Sequence, residues 1–243
     1  MAYADVNDEA GWFISAIQTP EGIQPAGEKD PIVIAIVDDG IRTGHQDLKK
    51  FIWKNPGEIP LNGIDDDGNG YVDDLYGINT YQDSGDPFDD NGHGTHVAGI
   101  IGAVGNNQIG IIGINWRIKI IALKMLGQHG TGSLFSAIKG LDYLIELKNS
   151  GVPVLAVNAS WGGMTFSRAL EDSIQRANSA GIIFVAAAGN ENLNVDLTPV
   201  YPAAYQVPNL ISVAASNTRL ELAGFSNYGL QSIDIAAPGV SIL

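Results

Sequence analysis

The sequence predicts an α/β fold, a three-layer sandwich with a mostly parallel sheet, and three observations point to it. Residues 31–37, 118–124 and 182–188 are nearly continuous aliphatic runs, the pattern of strands buried on both faces. Between such runs lie segments whose apolar residues recur at helical spacing, so strand and helix alternate along the chain. At 243 residues, 45% of them hydrophobic, the chain is long enough to bury a sizeable core in one domain.

In chain order, residues 1–30 form a polar surface segment in which Trp12, Phe13, Ile14 and Ile17 suggest a short helix. The run Pro31-Ile32-Val33-Ile34-Ala35-Ile36-Val37 is a strand ending abruptly in Asp38-Asp39-Gly40. Residues 55–90 read as a long polar insertion. In Asn91-Gly92-His93-Gly94-Thr95-His96, one histidine sits between glycines, and the small apolar run Val97-Ala98-Gly99-Ile100-Ile101 continues it as a close-packing helix. After a turn at 105–110, residues 118–124 form a strand, followed by a glycine-rich loop from Gly127 to Gly132. Leu134, Ile138, Leu141, Leu144 and Ile145 mark the core stripe of the next helix. Strand 152–160 precedes a helix over 167–180, with Leu170, Ile174 and Ala177 inward and Gly181 as its stop. Strands over 182–188, 210–214 and 233–236 complete the set, with right-handed crossovers expected between them. No linker, internal repeat or low-complexity stretch divides the chain, so one domain spanning 1–243 is expected.

Charge narrows the partners. With 27 acidic against 13 basic residues the formal net charge is −14, which disfavours nucleic acid and anionic membrane surfaces and favours bound cations. There is no cysteine, hence no disulfide or thiol chemistry. No run is apolar for long enough to span a bilayer, and the N-terminus shows no signal-peptide pattern. A monomer is expected.

Asp38, His93 and Asn190 each fall at or beside the carboxyl edge of the expected sheet, where open α/β sheets gather their chemistry. An imidazole on the first turn of a helix is awkward, because the helix dipole there disfavours its protonated form. An aspartate beside it would hold the tautomer and stabilise the imidazolium, and an asparagine amide could donate to a developing oxyanion.

The motifs that carry these residues resemble those of the subtilisin-like (subtilase) serine peptidases. They are Val37-Asp38-Asp39-Gly40-Ile41 with His45-Gln46-Asp47-Leu48, Asn91 to Gly99, and Asn158-Ala159-Ser160-Trp161-Gly162-Gly163. Ala187-Ala188-Gly189-Asn190 and Ala237-Pro238-Gly239-Val240 follow in family order. Asp39 and Gln46 differ from residues more usual in bacterial members, although Asp-Asp-Gly is familiar in the proprotein-processing branch. The resemblance implies a serine endopeptidase acting on polypeptides, with Asp38 as the carboxylate, His93 as the general base and Asn190 as the oxyanion amide. It implies that Gly130-Thr131-Gly132 and Ser160-Trp161-Gly162 are the two edges between which a substrate strand pairs, with Trp161 walling one pocket. A propeptide and secretion are further implications. The family's nucleophile stands in a Gly-Thr-Ser-Met-Ala motif shortly after Ala-Pro-Gly, whereas these residues run to Ser241-Ile242-Leu243 and hold no serine in that context. The isolated chain is therefore expected to be inactive, and to lack a closing helix and a strand or two, leaving part of a sheet face uncovered.

Calcium is the expected cofactor, at one or two structural sites. The resemblance implies a first site from Asp47, Asn107 and the main-chain oxygens of Val104, Ile109 and Ile111. A second follows from spacing: Asp65-x-Asp67-x-Asn69-Gly70 wraps oxygen ligands around calcium, and Asp65, Asp67, Asn69 and Asp74 are the expected donors. The alternative for that loop is a solvated acidic surface. His96 is expected to pack within its helix, His45 and His129 to lie at the surface, and the sequon Asn158-Ala159-Ser160 to be accidental on a buried strand. Two other functions stay open: a pseudoprotease or peptide-binding module keeping the groove without hydrolysis, and a nucleotide-binding α/β protein, against which stands the absence of a phosphate loop. Gly92-x-Gly94 is no dinucleotide fingerprint, since it follows an acidic loop instead of a strand and the third glycine is misplaced.

Overall fold

The computed structural model describes residues 12–17 and 31–242. Its centre is a parallel sheet of seven strands: β1 (Ile32–Asp38), β2 (Gly77–Asn79), β3 (Ile118–Lys124), β4 (Val154–Ala159), β5 (Ile183–Ala187), β6 (Leu210–Ser216) and β7 (Ile235–Pro238). The helices are α1 (Trp12–Ala16), α2 (His93–Gly102), α3 (Leu134–Asn149) and α4 (Arg168–Ser179). The strand order is β2-β3-β1-β4-β5-β6-β7. The chain therefore leaves β1 for β3 on one side and then returns to β4 on the other. The end of β1 is the topological switch point, and Asp38 is its last residue.

Both faces of the central strands are buried, which is why they read as continuous aliphatic runs. Val33, Ala35 and Val37 of β1, with Ile121 and Leu123 of β3, face the core formed with Leu141 and Leu144 of α3 and Leu170 and Ile174 of α4. Ile36, Ile120 and Ala122 face the opposite core, with Ile41, Leu48, Ile52 and Ala98 of α2. The alternation is the two-residue period of a pleated strand.

Helix α4 is capped by Ser167, whose side chain accepts from the Leu170 amide, and exposed Arg168 pairs with Glu171 on its surface. It ends where Gly181 turns left-handed at φ 73° and the Ile182 amide reaches back to the Ala177 carbonyl. Helix α1 buries Phe13 against Ile112, while Ile17 stays 39% exposed.

Several elements differ from expectation. The strand expected at 233–236 runs Ile235–Pro238, β4 starts at Val154, and a short edge strand, β2, lies inside the presumed polar insertion. All three residues of β2 are buried, but a strand so short has no periodicity to read. Its Gly77 lies so close to β3 that a Cβ would stand 1.9 Å from the Ala122 carbonyl oxygen. At the other edge, β7 leaves Ile235 53% exposed. Among the described residues no helix is long and apolar enough to cross a membrane.

Candidate active site

Asp38 is fully buried at the switch point, and its carbonyl accepts the Met125 and Leu126 amides at 2.8 and 3.1 Å. Its carboxylate accepts the Asp39 amide at 2.9 Å and faces His93, the first residue of α2. Imidazole Nδ1 stands 2.8 and 3.0 Å from the two Asp38 oxygens. That contact selects the tautomer with hydrogen on Nδ1, leaving Nε2 as the basic atom. The hydrogen bond to Asp38 raises the His93 pKa above its ordinary value; burial opposes it, and the charges of Asp38, Asp39 and Asp89 add to the rise. The carboxylate thus outweighs burial.

What aims His93 is the junction of α2 with the end of β1. Gly94 presses onto β1 so tightly that a Cβ there would lie 2.2 Å from the Gly40 carbonyl oxygen. Its amide donates to Asp39 Oδ1 at 2.7 Å. Burial pushes the Asp39 pKa up, opposed by that amide and reinforced by Asp38 and Asp89. Asp89, also fully buried, accepts the amides of Asn91, Gly92 and Thr95 and the Thr95 hydroxyl. Burial alone would raise its pKa, but these donors outweigh burial and hold the carboxyl below the ordinary aspartate value. Such a depressed group stabilises the fold above its unfolded pKa and ceases to do so as pH falls through the folded one. Asp89→Asn is therefore expected to cost about 2 kcal/mol near neutral pH and progressively less in acid, read from denaturant melts at both. An unchanged neutral melt would refute this role.

Sequence reasoning missed Lys124. It terminates β3 opposite Asp38, is 2% exposed, and places Nζ 2.7 Å from Asp90 Oδ1 and 2.5 Å from the Asp39 carbonyl oxygen. The ammonium so ties the loop after β1 to the loop before α2. In sequence it is one lysine in an aliphatic run, and only the fold brings its acceptors.

The pair heads a cleft of about 650 Å³. Gly130, Thr131 and Gly132 line one side, and Ser160, Trp161 and Gly162 the other. The first three follow β3 in an exposed loop held by an antiparallel bridge between Leu126 and Gly132. The second three leave the end of β4, and the next residue, Gly163, exchanges hydrogen bonds of 2.8 Å with Tyr201. Asn91, Thr165 and Tyr201 also line the cleft. Asn91 ties the α2 loop to the Gln128 carbonyl at 2.8 Å. It was legible beside the His93 motif, whereas Tyr201 lies in an irregular segment with no signal. Asn190 stands at the same sheet edge, beyond β5, exposed and outside the residues lining this cleft.

A sequence profile of the Subtilase family matches residues 29–242. The chain belongs to the subtilase family. Subtilisin-like protease 1 of Plasmodium falciparum (isolate 3D7) is 36% identical over 230 residues, covering 86% of this chain and 32% of that protein. Subtilisin NAT of Bacillus subtilis subsp. natto is 35% identical over 230 residues, covering 94% and 52%. The chain thus spans about a third of the length of the Plasmodium protein it matches. The crystal structure of a cold adapted subtilisin-like serine proteinase is similar with a TM-score of 0.67 at 25% identity, over 94% of this chain and 72% of that one. The subtilase sheet of this chain is the three-layer α/β fold that its strand runs predict.

The remaining expected residues of this subtilase fall in two places. Asp47, 2% exposed, accepts the Asn107 side-chain amide at 2.7 Å on Oδ1 and the Ile111 amide at 3.4 Å on Oδ2. Its carbonyl accepts the Val104 amide at 3.0 Å, and Asn107 Oδ1 accepts the Ile109 amide at 2.8 Å. In this arrangement the Asp47 carboxylate faces N–H donors, the Asn107 amide and the Ile111 main chain, and not the carbonyl oxygens expected there. In the second place, Asp65 and Asp67 come together with Glu58, while Asp74 turns inward to Tyr143. His45 and His129 are exposed as expected, and Asn158 lies on β4 with its amide donating to Ser160 Oγ at 2.9 Å. His96, expected to pack, is exposed. The buried side of α2 is Gly94, Ala98, Gly99 and Gly102, and residue 96 lies half a turn away from 94 and 98.

Proposed function

We propose that this chain supplies the acid–base pair and the substrate groove of a serine endopeptidase. The observation that carries the reading is the hydrogen bond between buried Asp38 and His93 at the head of a cleft flanked by Gly130–Gly132 and Ser160–Gly162. A polypeptide entering as a strand pairs its main chain with Gly130–Gly132 and Ser160–Gly162, and side-chain pockets, one walled by Trp161, set preference. His93 Nε2 takes the proton of an attacking serine hydroxyl as its oxygen bonds to the peptide carbonyl carbon, then returns that proton to the leaving amine. Asp38 stabilises the intervening imidazolium, and Asn190 is read as donor to the carbonyl oxygen as it becomes an oxyanion.

The serine belongs to a Gly-Thr-Ser-Met-Ala context that residues 1–243 do not contain. The 243-residue chain incubated with fluorogenic peptides is therefore expected to release no more product than buffer. A longer polypeptide carrying such a serine is expected to hydrolyse them, to be blocked by a serine-directed phosphonate, and to lose activity on His93→Ala. Phosphonate-sensitive hydrolysis by the short chain would overturn the division of labour. A longer polypeptide that binds peptide in the groove without cleaving it would favour the pseudoprotease reading.

Calcium is proposed at Asp47, with Asn107 and the carbonyls of Val104, Ile109 and Ile111, and at the acidic loop of residues 65–74. When bound, the ion links segments distant in sequence and neutralises buried carboxylate. A ligand held only by the folded state stabilises it by about 1.4 kcal/mol for each tenfold excess over its dissociation constant. Chelation is thus expected to lower Tm, and Asp47→Asn to remove part of that response. A Tm indifferent to chelator would refute the proposal. Secretion and a propeptide are proposed from family membership alone.

A further inference from the structure

Asparagine is a thermolabile residue, and most so before glycine, which puts no Cβ beside the backbone nitrogen that attacks it. That nitrogen loses its proton to solvent base and bonds to the asparagine Cγ. The side-chain nitrogen takes up a proton and leaves as ammonia, and water opens the resulting succinimide to aspartate or isoaspartate. The net exchange is water in and ammonia out. This sequence holds three such pairs, Asn62-Gly63, Asn69-Gly70 and Asn91-Gly92.

In the fold, each of the three glycine amides is bonded to an aspartate. Gly63 N–H donates to Asp73 Oδ2 at 3.0 Å, Gly70 N–H to Asp65 Oδ2 at 2.8 Å and Gly92 N–H to Asp89 Oδ1 at 2.6 Å. A carboxylate acceptor makes a short, charge-assisted bond that fixes the nitrogen. Its negative charge also disfavours the amide anion that cyclisation needs.

The pairs are not equally secured. Asn62 Oδ1 accepts the Ile64 amide at 2.8 Å, and its Nδ2 donates to Asp66 at 2.8 Å. Asn69 Oδ1 accepts the Tyr71 amide at 2.9 Å, and its Nδ2 donates to Asp74 at 3.0 Å. Asn91 is exposed to water, and its Nδ2 is tied to the Gln128 carbonyl at 2.8 Å, on the exposed loop bordering the cleft. Its backbone rests on Asp89, which is fully buried and accepts the Asn91 amide at 2.8 Å as well as that of Gly92.

We propose that Asn91 is a latent deamidation site in the loop that carries His93, kept closed by the Asp89 carboxylate on the Gly92 amide, as Asp73 and Asp65 close the other two pairs. Aspartate at this position adds a negative charge two residues from His93. Isoaspartate adds a carbon to the main chain at the start of α2 and so moves the imidazole relative to Asp38. These consequences bear on the reading of His93 as general base, whereas the modification itself does not depend on it.

Incubating the 243-residue chain at mildly alkaline pH, with peptide mapping by mass spectrometry at intervals, tests the proposal. All three pairs are expected to convert in concentrated urea and to keep their amides in the folded parent. Asp89→Asn, which removes the charge, is expected to convert Asn91 at least about tenfold faster, leaving Asn62 and Asn69 at the parent rate. Asn91 converting in the folded parent as fast as in urea, or no faster in Asp89→Asn, would overturn the proposal. If circular dichroism shows Asp89→Asn unfolded, Asp73→Asn carries the same test at a partly exposed position. Asn62 is then expected to convert at least about tenfold faster with Asn91 unchanged, and an unaltered Asn62 would count against the carboxylate's role. In Asn91→Asp, which reproduces one product, the His93 imidazole titration is expected to move to higher pH, and an unmoved titration would strike out the effect on the base.

Discussion

Asp38→Asn is expected to lower the pKa of His93 and, in a polypeptide that carries the nucleophile, to cut kcat by about four orders of magnitude, a size measured on subtilisin, itself a subtilase. The physical reason lies in two contacts. Asp38 accepts from His93 Nδ1 at 2.8 Å and is itself fully buried, so its charge acts on the imidazole with little solvent between them. An amide in its place can donate to Nδ1 and select the opposite tautomer, turning the hydrogen to Nε2, where the base is needed. The sign can be read in the 243-residue chain without turnover. In the parent, the raised His93 pKa means that protonated His93 stabilises the fold fully below the unfolded histidine value of about 6.5. That contribution is lost as pH climbs through the raised folded value. In Asp38→Asn the imidazole NMR titration should move to lower pH, and the alkaline loss of stability should shrink. Catalysis by the complete site, which needs neutral His93, should appear only above the raised pKa. An imidazole titration that does not move in Asp38→Asn would sink the pairing.

Gly94→Ala is expected to damage stability and site geometry together. The added Cβ would meet the Gly40 carbonyl oxygen at 2.2 Å and Asp38 Cβ at 3.1 Å. The first obstacle is backbone at the end of a buried strand, so α2 must shift away from β1. Overpacking of this kind costs about 3 kcal/mol. The same shift carries His93 off Asp38 and stretches the bond from the Gly94 amide to Asp39. A displacement of about 1 Å in positioned groups lowers rate about 100-fold. The expected result is a lower denaturation midpoint, with the His93 titration returning toward an ordinary histidine. Gly44→Ala is the control, since nothing lies within 4 Å of a Cβ there. Equal melts for the two variants would show that α2 has room which the packing denies.

Much of the site was legible in local pattern. The β-branched run before Asp38 announces a strand buried on both faces, and ending it in Asp-Asp-Gly puts the carboxylate at the sheet edge. Glycine beside His93 and small residues after it announce a helix that packs closely, and α2 starts at His93. The helix stripe ending at Gly181 was read to within a residue at each end. Lys124 and Tyr201 were not legible. A lysine in a strand reads as solvated until two acceptors converge on it, and Tyr201 lies in an irregular segment without periodicity. The burial of Asp74 against Tyr143 on α3 was equally hidden, since its place in a run of aspartates suggested solvent or a cation.

By itself the sequence determined the strand and helix runs, the edge of the sheet where chemistry would gather, and the aspartate and histidine that meet there. Side-chain periodicity and turn chemistry act over a few residues, and those features need no more. Tertiary structure alone decided which charges are buried with partners, which carboxylates face one another, and which loops bound the cleft. Lys124 reaches the Asp39 carbonyl across 85 positions of chain and Tyr143 reaches Asp74 across 69. The energy of a buried charge depends on donors and acceptors that only folding brings within hydrogen-bonding distance.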